Sequence, residues 1–305
     1  MSDKETFKQE LDARTAEIEQ LIGTYLPEET GHQKTIFEAM NYSMKAGGKR
    51  LRPMLMQEMC RLFTGTLLEA VIPFMAAVEM IHTSSLVHDD LPCMDDDMMR
   101  RGKASTWAEY GEDIGVLTGD ALMMYAFETA ANAFETSIDP DELSRIGRAM
   151  GILARKTGVY GMIGGQTVDV ELAGGPIPGD KLEFIYRLKT GALIEASMLI
   201  GAVLGGAAEE DCKIVESLAA KIGMAFQIQD DILDVTSTTE ELGKPVHSDE
   251  KNEKTTYVTW KGIDKAKEMV EALTDEAIAL LSEIKTDKKD DFLEELLKSL
   301  VYRKK

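Results

Sequence analysis

The chain has 305 residues, 44% of them hydrophobic, and its 54 acidic against 34 basic side chains leave a formal net charge of −20. The apolar share supports a sizeable core, while so negative a balance argues against DNA, RNA or an anionic membrane surface as the principal partner. Cys60, Cys93 and Cys212 are too few and too scattered for a disulfide framework or a zinc site, so a reducing cytoplasm is the expected compartment.

Residues 1–7 lack the basic and then apolar run of a secretory signal. Phe7, Leu11, Ile18, Leu21, Ile22 and Tyr25 recur at helical spacing and predict an amphipathic helix ending near Pro27. A second helix is expected over 35–45, stopped by Gly47 and Gly48, then others over 52–63 and 67–91. Helical length and spacing return over 114–137, 141–156, 182–204, 209–234, 265–284 and 290–302. Glycine-bearing stretches at 161–165, 174–179 and 243–253 are read as loops between helices. The apolar region 191–208 holds Glu195 and four glycines, which makes it a buried helix and not a membrane span. With no alternating strand pattern of any length, the expectation is an all-α, single-domain helical bundle over 1–305, its polar site built centrally from facing helices.

Two acidic stretches stand out. Behind the apolar run 70–82, Asp89, Asp90, Asp95, Asp96 and Asp97 are crowded together with Arg100 and Arg101. A helix that apolar is a buried rod, and Pro92 should end it, leaving Asp89 and Asp90 on the last turn and Asp95 facing them from a short return. Far along the chain, Asp230, Asp231 and Asp234 sit on another apolar helix, with Asp230 and Asp234 four apart on one face. Carboxylates this close call for cations, and all-oxygen ligation suits Mg²⁺, which takes one or two carboxylates, waters and phosphate oxygens. Two such faces converging on one cavity would hold several divalent ions and a diphosphate.

With these motifs the sequence resembles the trans-type isoprenyl diphosphate synthases. The likeness rests on Asp89-Asp90 with Asp95, on Asp230-Asp231 with Asp234, and on Arg100-Arg101-Gly102. It rests also on Gly47-Gly48-Lys49-Arg50-Leu51-Arg52-Pro53, Gly164-Gly165-Gln166, Lys189-Thr190-Gly191, and Gly243-Lys244 with Lys254 downstream, in the family's order across residues 35–260. The resemblance implies an isoprenoid synthase fold and the ionisation of an allylic diphosphate. The double bond of isopentenyl diphosphate then attacks the cation and a proton is lost, the released diphosphate serving as acceptor. It implies that Asp89 and Asp95 ligate two Mg²⁺ ions and Asp230 a third, while Asp90, Asp231 and Asp234 orient ligands or hold metal-bound waters. Arg100, Lys189, Lys244 and Lys254, with Gln227 nearby, would hold the allylic diphosphate; Lys49, Arg52, His82 and Arg101 would hold isopentenyl diphosphate without a metal. Thr190 and Gln166 would place oxygen dipoles near the carbocation. A homodimer is also implied.

His247 stands where the family often has a glycine, which bears on how the loop after Gly243-Lys244 closes. Product length follows from the floor of an apolar tunnel on the helix before Asp89. Family members stopping at fifteen carbons carry an aromatic residue four or five positions before the first Asp; here those positions are Ser85 and Ser84. Small side chains leave the next floor near Met80 and Ile81, or on a facing helix at Met123, Met124 or Tyr125, so geranylgeranyl diphosphate is favoured over farnesyl diphosphate.

Rival readings are weaker. A terpene cyclase would replace the second acidic motif with an Asn-Ser-Glu triad. A His-Asp metal-dependent phosphohydrolase, suggested by His88-Asp89, needs further His ligands at suitable spacing, but there are only four histidines and His32 lies near a loop. A di-iron bundle, suggested by Glu79 and His82, lacks a sound second pair, since Glu29 to His32 contains Gly31. A non-catalytic partner subunit would not need every carboxylate.

Overall fold

The computed structural model describes residues 3–236, 255–288 and 291–301. They separate into two compact units, one comprising Met1–Gln57 and Leu67–Met150, the other Glu58–Thr66 and Gly151–Lys305.

The first unit contains α1 (Asp3–Gly23), α2 (Lys34–Met44), the start of α3 (Leu51–Thr64), α4 (Ile72–Asp89), a hairpin of β1 (Met99–Arg100) and β2 (Lys103–Ala104), α5 (Thr106–Tyr110), α6 (Glu112–Ala131) and part of α7 (Pro140–Thr157). By length and composition alone, 69–89 could cross a membrane, yet it is a core helix: Phe74, Met75, Met80 and Ile81 on α4 have no exposed surface. α6 packs along it, and Ser84 on α4 donates its hydroxyl to the Gly119 carbonyl of α6 at 2.8 Å.

The second unit contains α8 (Met162–Glu171), α9 (Gly179–Ile185), a π-helical turn over Tyr186–Gly191, α10 (Ala192–Leu204), α11 (Glu209–Thr236), α12 (Tyr257–Lys261), α13 (Ile263–Glu283) and α14 (Asp291–Val301). Every residue of α10 is buried, as its near-continuous apolar sequence requires. Its one acidic residue, Glu195, is paired with Lys156 of α7, whose ammonium also reaches Glu216 at 3.1 Å.

The all-helical expectation holds for the described residues apart from the two-residue strands of the hairpin, and three local readings change. The single helix expected over 182–204 is interrupted by the π turn, which carries Lys189 and Thr190. Of residues 161–165, read as a loop, Gly161 is the N-cap of α8 and 162–165 form its start. Gly165 is there because a Cβ would lie 2.3 Å from the Lys189 backbone nitrogen, so it permits close approach to the π turn and does not end a helix. Short α5 and α12, five residues each, are too brief for periodicity to announce.

Candidate active site

In the first unit α4 ends at Asp89, with Asp90 in the C-cap position before Pro92. The chain then folds back on itself: the Asp95 amide donates to the Asp89 carbonyl at 2.9 Å, and the Asp97 amide to the Asp90 carbonyl at 3.1 Å. Asp96 takes a left-handed φ of 54° to close this turn. The return expected for Asp95 is therefore built from backbone hydrogen bonds, leaving its side chain exposed while Asp89 is half-buried.

Asp90 differs, being only 2% exposed. Arg100 grips it from β1, Nε lying 3.0 Å from Oδ1 and 3.2 Å from Oδ2, with a further bond from Nη2. Burial pushes the Asp90 carboxyl above its usual range, against the pull of Arg100 and with Asp97 and Asp95 adding to the rise. The hairpin that presents Arg100 turns through Arg101 (φ 52°) and Gly102 (φ 78°), two left-handed residues as a tight two-residue β-turn requires. Arg101 donates to the Gly47 carbonyl, and a Cβ at Gly48 would lie 2.8 Å from its Nη1, so the glycine pair lets the loop lie against the guanidinium.

His82 lies on α4 near this basic group. Burial, then Arg52, Arg101, Arg50 and Arg100, hold its pKa well below the ordinary 6.5, so the ring is neutral at pH 7 although some of its surface is accessible. Lys49 is exposed and Arg52 half-buried. Ser85 is half-buried and bonds to the His82 carbonyl of its own helix at 2.8 Å. Ser84 and Met80 are fully buried, Ser84 against Gly119 and Met80 beside the Thr129 hydroxyl of α6.

In the second unit an open cleft is lined by Lys189, Thr190, Gln227, Asp231, Tyr186 and Asp169, among others. The Thr190 hydroxyl donates to the Gln227 side-chain oxygen at 2.8 Å, and Lys189 pairs with Asp169 of α8 at 2.6 Å. Asp231, 4% exposed, accepts at Oδ2 from the Tyr186 hydroxyl at 2.5 Å and the Tyr257 amide at 2.8 Å. Asp234 is buried too, and Asp230 and Gln166 are half-buried. Lys244, Lys254 and His247 lie outside the described residues.

The donor chemistry fits Mg²⁺. Asp89, Asp95 and Asp230 offer only oxygens from positions that keep accessible surface, whereas Asp90 and Asp231 are held by protein donors. Among the described residues no three His, Cys, Asp or Glu side chains are gathered into a complete cage.

The chain matches the Polyprenyl synthetase family over residues 33–296. It belongs to that family. A chloroplastic geranylgeranyl pyrophosphate synthase from Catharanthus roseus is 48% identical over 255 residues, covering 83% of this chain and 70% of that protein. The large subunit 1 of a heterodimeric chloroplastic geranylgeranyl pyrophosphate synthase from Arabidopsis thaliana is 45% identical, covering 83% of this chain and 68% of that protein. A crystal structure of a geranyltransferase from Helicobacter pylori, complexed with magnesium and isoprenyl diphosphate, superposes with a TM-score of 0.80 at 30% identity, covering 99% of this chain and 97% of that one. This polyprenyl synthetase family member carries its two aspartate sets toward the C-terminal ends of α4 and α11. Sequence reasoning missed Asp169, Tyr186 and the Tyr257 amide. Of these only Asp169 had a local signal, lying three residues after Gln166 on the same helix.

Proposed function

We propose that the protein condenses isopentenyl diphosphate with an allylic diphosphate, dimethylallyl, geranyl or farnesyl, to a short-chain trans-prenyl diphosphate, with geranylgeranyl diphosphate as main product. The observation that carries this reading is the division within each aspartate-rich set. Buried Asp90 is pinned by Arg100 in the first set, and Asp231, buried with Asp234, by Tyr186 and the Tyr257 amide in the second, while Asp89, Asp95 and Asp230 keep accessible surface. On this reading Asp89, Asp95 and Asp230 hold three Mg²⁺ ions, and Asp90, Asp231 and Asp234 orient what those ligands bind. Bound there, Mg²⁺ offsets the negative charge that grows on the departing diphosphate.

Arg100, Lys189, Lys244 and Lys254 bind the allylic diphosphate, with Gln227 beside it. The Thr190 hydroxyl, oriented by its bond to Gln227, turns oxygen density toward the allylic cation. Lys49, Arg52, Arg101 and neutral His82 hold isopentenyl diphosphate; guanidinium forks match phosphate oxygens in geometry as well as charge. Attack through the terminal carbon of isopentenyl diphosphate leaves a tertiary cation at its C3; the proton is then lost from C2 to form the new double bond and goes to the released diphosphate. Small residues at Ser84 and Ser85, with the relatives' names, support twenty carbons over fifteen.

Both units belong to one synthase domain on this reading, which the family match running through both supports. The functional form on this reading is a homodimer, as the family resemblance implies, and α6, which presents Val116, Leu117 and Met124 at 39%, 53% and 69% exposure, offers an apolar face for it. The compartment is a reducing one, cytoplasm or chloroplast. No disulfide joins Cys60, Cys93 and Cys212, and the two plant relatives are chloroplastic by name.

Purified protein incubated with Mg²⁺, labelled isopentenyl diphosphate and each allylic diphosphate in turn should give a twenty-carbon product. A fifteen-carbon product would reassign it as a farnesyl diphosphate synthase. No condensation, with phosphate released from nucleotides, would replace the reading with a phosphohydrolase. Light scattering at twice the monomer mass checks the dimer.

A further inference from the structure

Lys49, Arg50 and Arg52 lie within four residues, yet Arg50 alone turns inward, 5% exposed. Nη1 meets Glu79 Oε1 at 2.8 Å, Nε meets Glu19 Oε1 at 3.0 Å, and Nη2 donates to the Met44 carbonyl at 2.7 Å. All three nitrogens are thus committed to protein acceptors, two of them inside the protein and the third at exposed Glu19. Glu79 is itself 2% exposed. Arg50 also holds a left-handed φ of 47°, a conformation costly for a branched-out side chain and kept only where surrounding contacts enforce it. Its carbonyl accepts the Met54 amide at 3.1 Å, the first bond of α3.

These contacts fix three things at once. Glu79 is one helical turn before His82 on α4, so the ion pair ties that helix face to the loop carrying Lys49 and to the beginning of the helix carrying Arg52. We propose that the buried Arg50–Glu79 pair is the positioning device of the isopentenyl diphosphate subsite, setting Lys49, Arg52 and His82 in register to meet one diphosphate while neither partner touches it. Glu79 has a second task. Burial, with the four guanidiniums Arg52, Arg101, Arg50 and Arg100 adding to it, lowers the His82 pKa, and Glu79, ahead of Asp90, favours the charge on Arg101 against the pull of burial. The proposal rests on the synthase reading and assigns residues that reading leaves unused.

Two variants test it, read by thermal melting, by calorimetric binding of isopentenyl diphosphate without metal, and by the KM of each substrate. Arg50→Met with Glu79→Leu removes both charges together, so no buried charge is stranded and the fold is retained. Arg50→Lys keeps the charge opposite Glu79 but gives up the fork that also reaches Glu19 and Met44. In the double variant the KM for isopentenyl diphosphate should rise about tenfold to a hundredfold, the scale of misplaced binding groups, with the allylic KM within about twofold; Arg50→Lys should fall between. A folded double variant with unchanged isopentenyl diphosphate affinity, or with both KM values raised equally, would overturn the proposal. An unfolded double variant leaves the test to Arg50→Lys, where an unchanged KM ratio is the refuting result. Wild type failing to bind isopentenyl diphosphate would overturn the functional reading, and this proposal with it.

Discussion

Ser84 and Ser85 are adjacent in sequence but stand in different surroundings, and substituting phenylalanine at each separates product length from packing. Ser84 has no exposed surface, and its hydroxyl is committed to the Gly119 carbonyl of α6 at 2.8 Å. A ring there must push α4 and α6 apart. The lost hydrogen bond costs about 1 kcal/mol and overpacking about 1–3 kcal/mol, together about 2–4 kcal/mol. Ser85 is half-buried, and its hydroxyl only back-bonds to the His82 carbonyl at 2.8 Å. Losing that local bond costs roughly 1 kcal/mol or less. One helical turn separates Ser85 from Ile81, about 5.4 Å, close to the length of one isoprene unit. Ser85→Phe should therefore melt near wild type and move the main product from twenty carbons to fifteen, read by chromatography of the dephosphorylated alcohols. Ser84→Phe should lower the melting temperature by several degrees. Unchanged product length in Ser85→Phe, or shortening by Ser84→Phe at an unchanged melting temperature, would refute the reasoning.

Asp89→Asn should cut kcat about a hundredfold or more and raise the Mg²⁺ concentration needed for half activity; a kcat within about threefold of wild type would remove Asp89 from the metal-binding set. Tyr186→Phe removes the hydroxyl donor to Asp231 while the Tyr257 amide stays in place, and should lose about 1–1.5 kcal/mol of positioning, close to tenfold in kcat/KM for the allylic substrate, with no change in fold by circular dichroism. His82 has a folded pKa depressed below 6.5 by burial and then by Arg52, Arg101, Arg50 and Arg100, so the unfolded chain binds a proton there that the folded chain refuses. Its contribution to stability is complete above about pH 6.5 and is lost as pH falls below that value. Urea titrations at pH 7.5, 6.5 and 5.5 should show a steeper acid-side loss in wild type than in His82→Gln; parallel losses would contradict it.

Long elements with an uninterrupted apolar stripe were legible residue by residue: α1, α7 and α11 begin and end within a few positions of where periodicity places them. The π turn was not, because Tyr186–Gly191 continues the apolar pattern of its flanks and one extra residue per turn leaves no compositional mark. Gly164-Gly165 misled for a related reason. Glycine marks a chain break and a close helix contact alike, and only the 2.3 Å approach to the Lys189 nitrogen tells them apart. The hairpin was hidden because two-residue strands cannot display a period of two.

Within the acidic motifs, the sequence announces adjacent aspartates and says nothing of how they differ. That difference is tertiary. A carboxylate buried as deeply as Asp90 or Asp231 must be given donors by the protein, since an unpaired buried charge is the costliest arrangement available. The donors come from parts of the chain distant in sequence: a guanidinium on a hairpin that needs two left-handed residues, and a phenol on a π turn with an amide at the start of α12. Once Asp90 and Asp231 are held in this way, their neighbours Asp89 and Asp230 inherit a fixed direction from the same backbone. On the proposed reading, the irregular elements that periodicity could not see are thus the ones that turn two acidic helix ends into ligand-presenting edges. Straightening either of them would spare the helices and cost the chemistry.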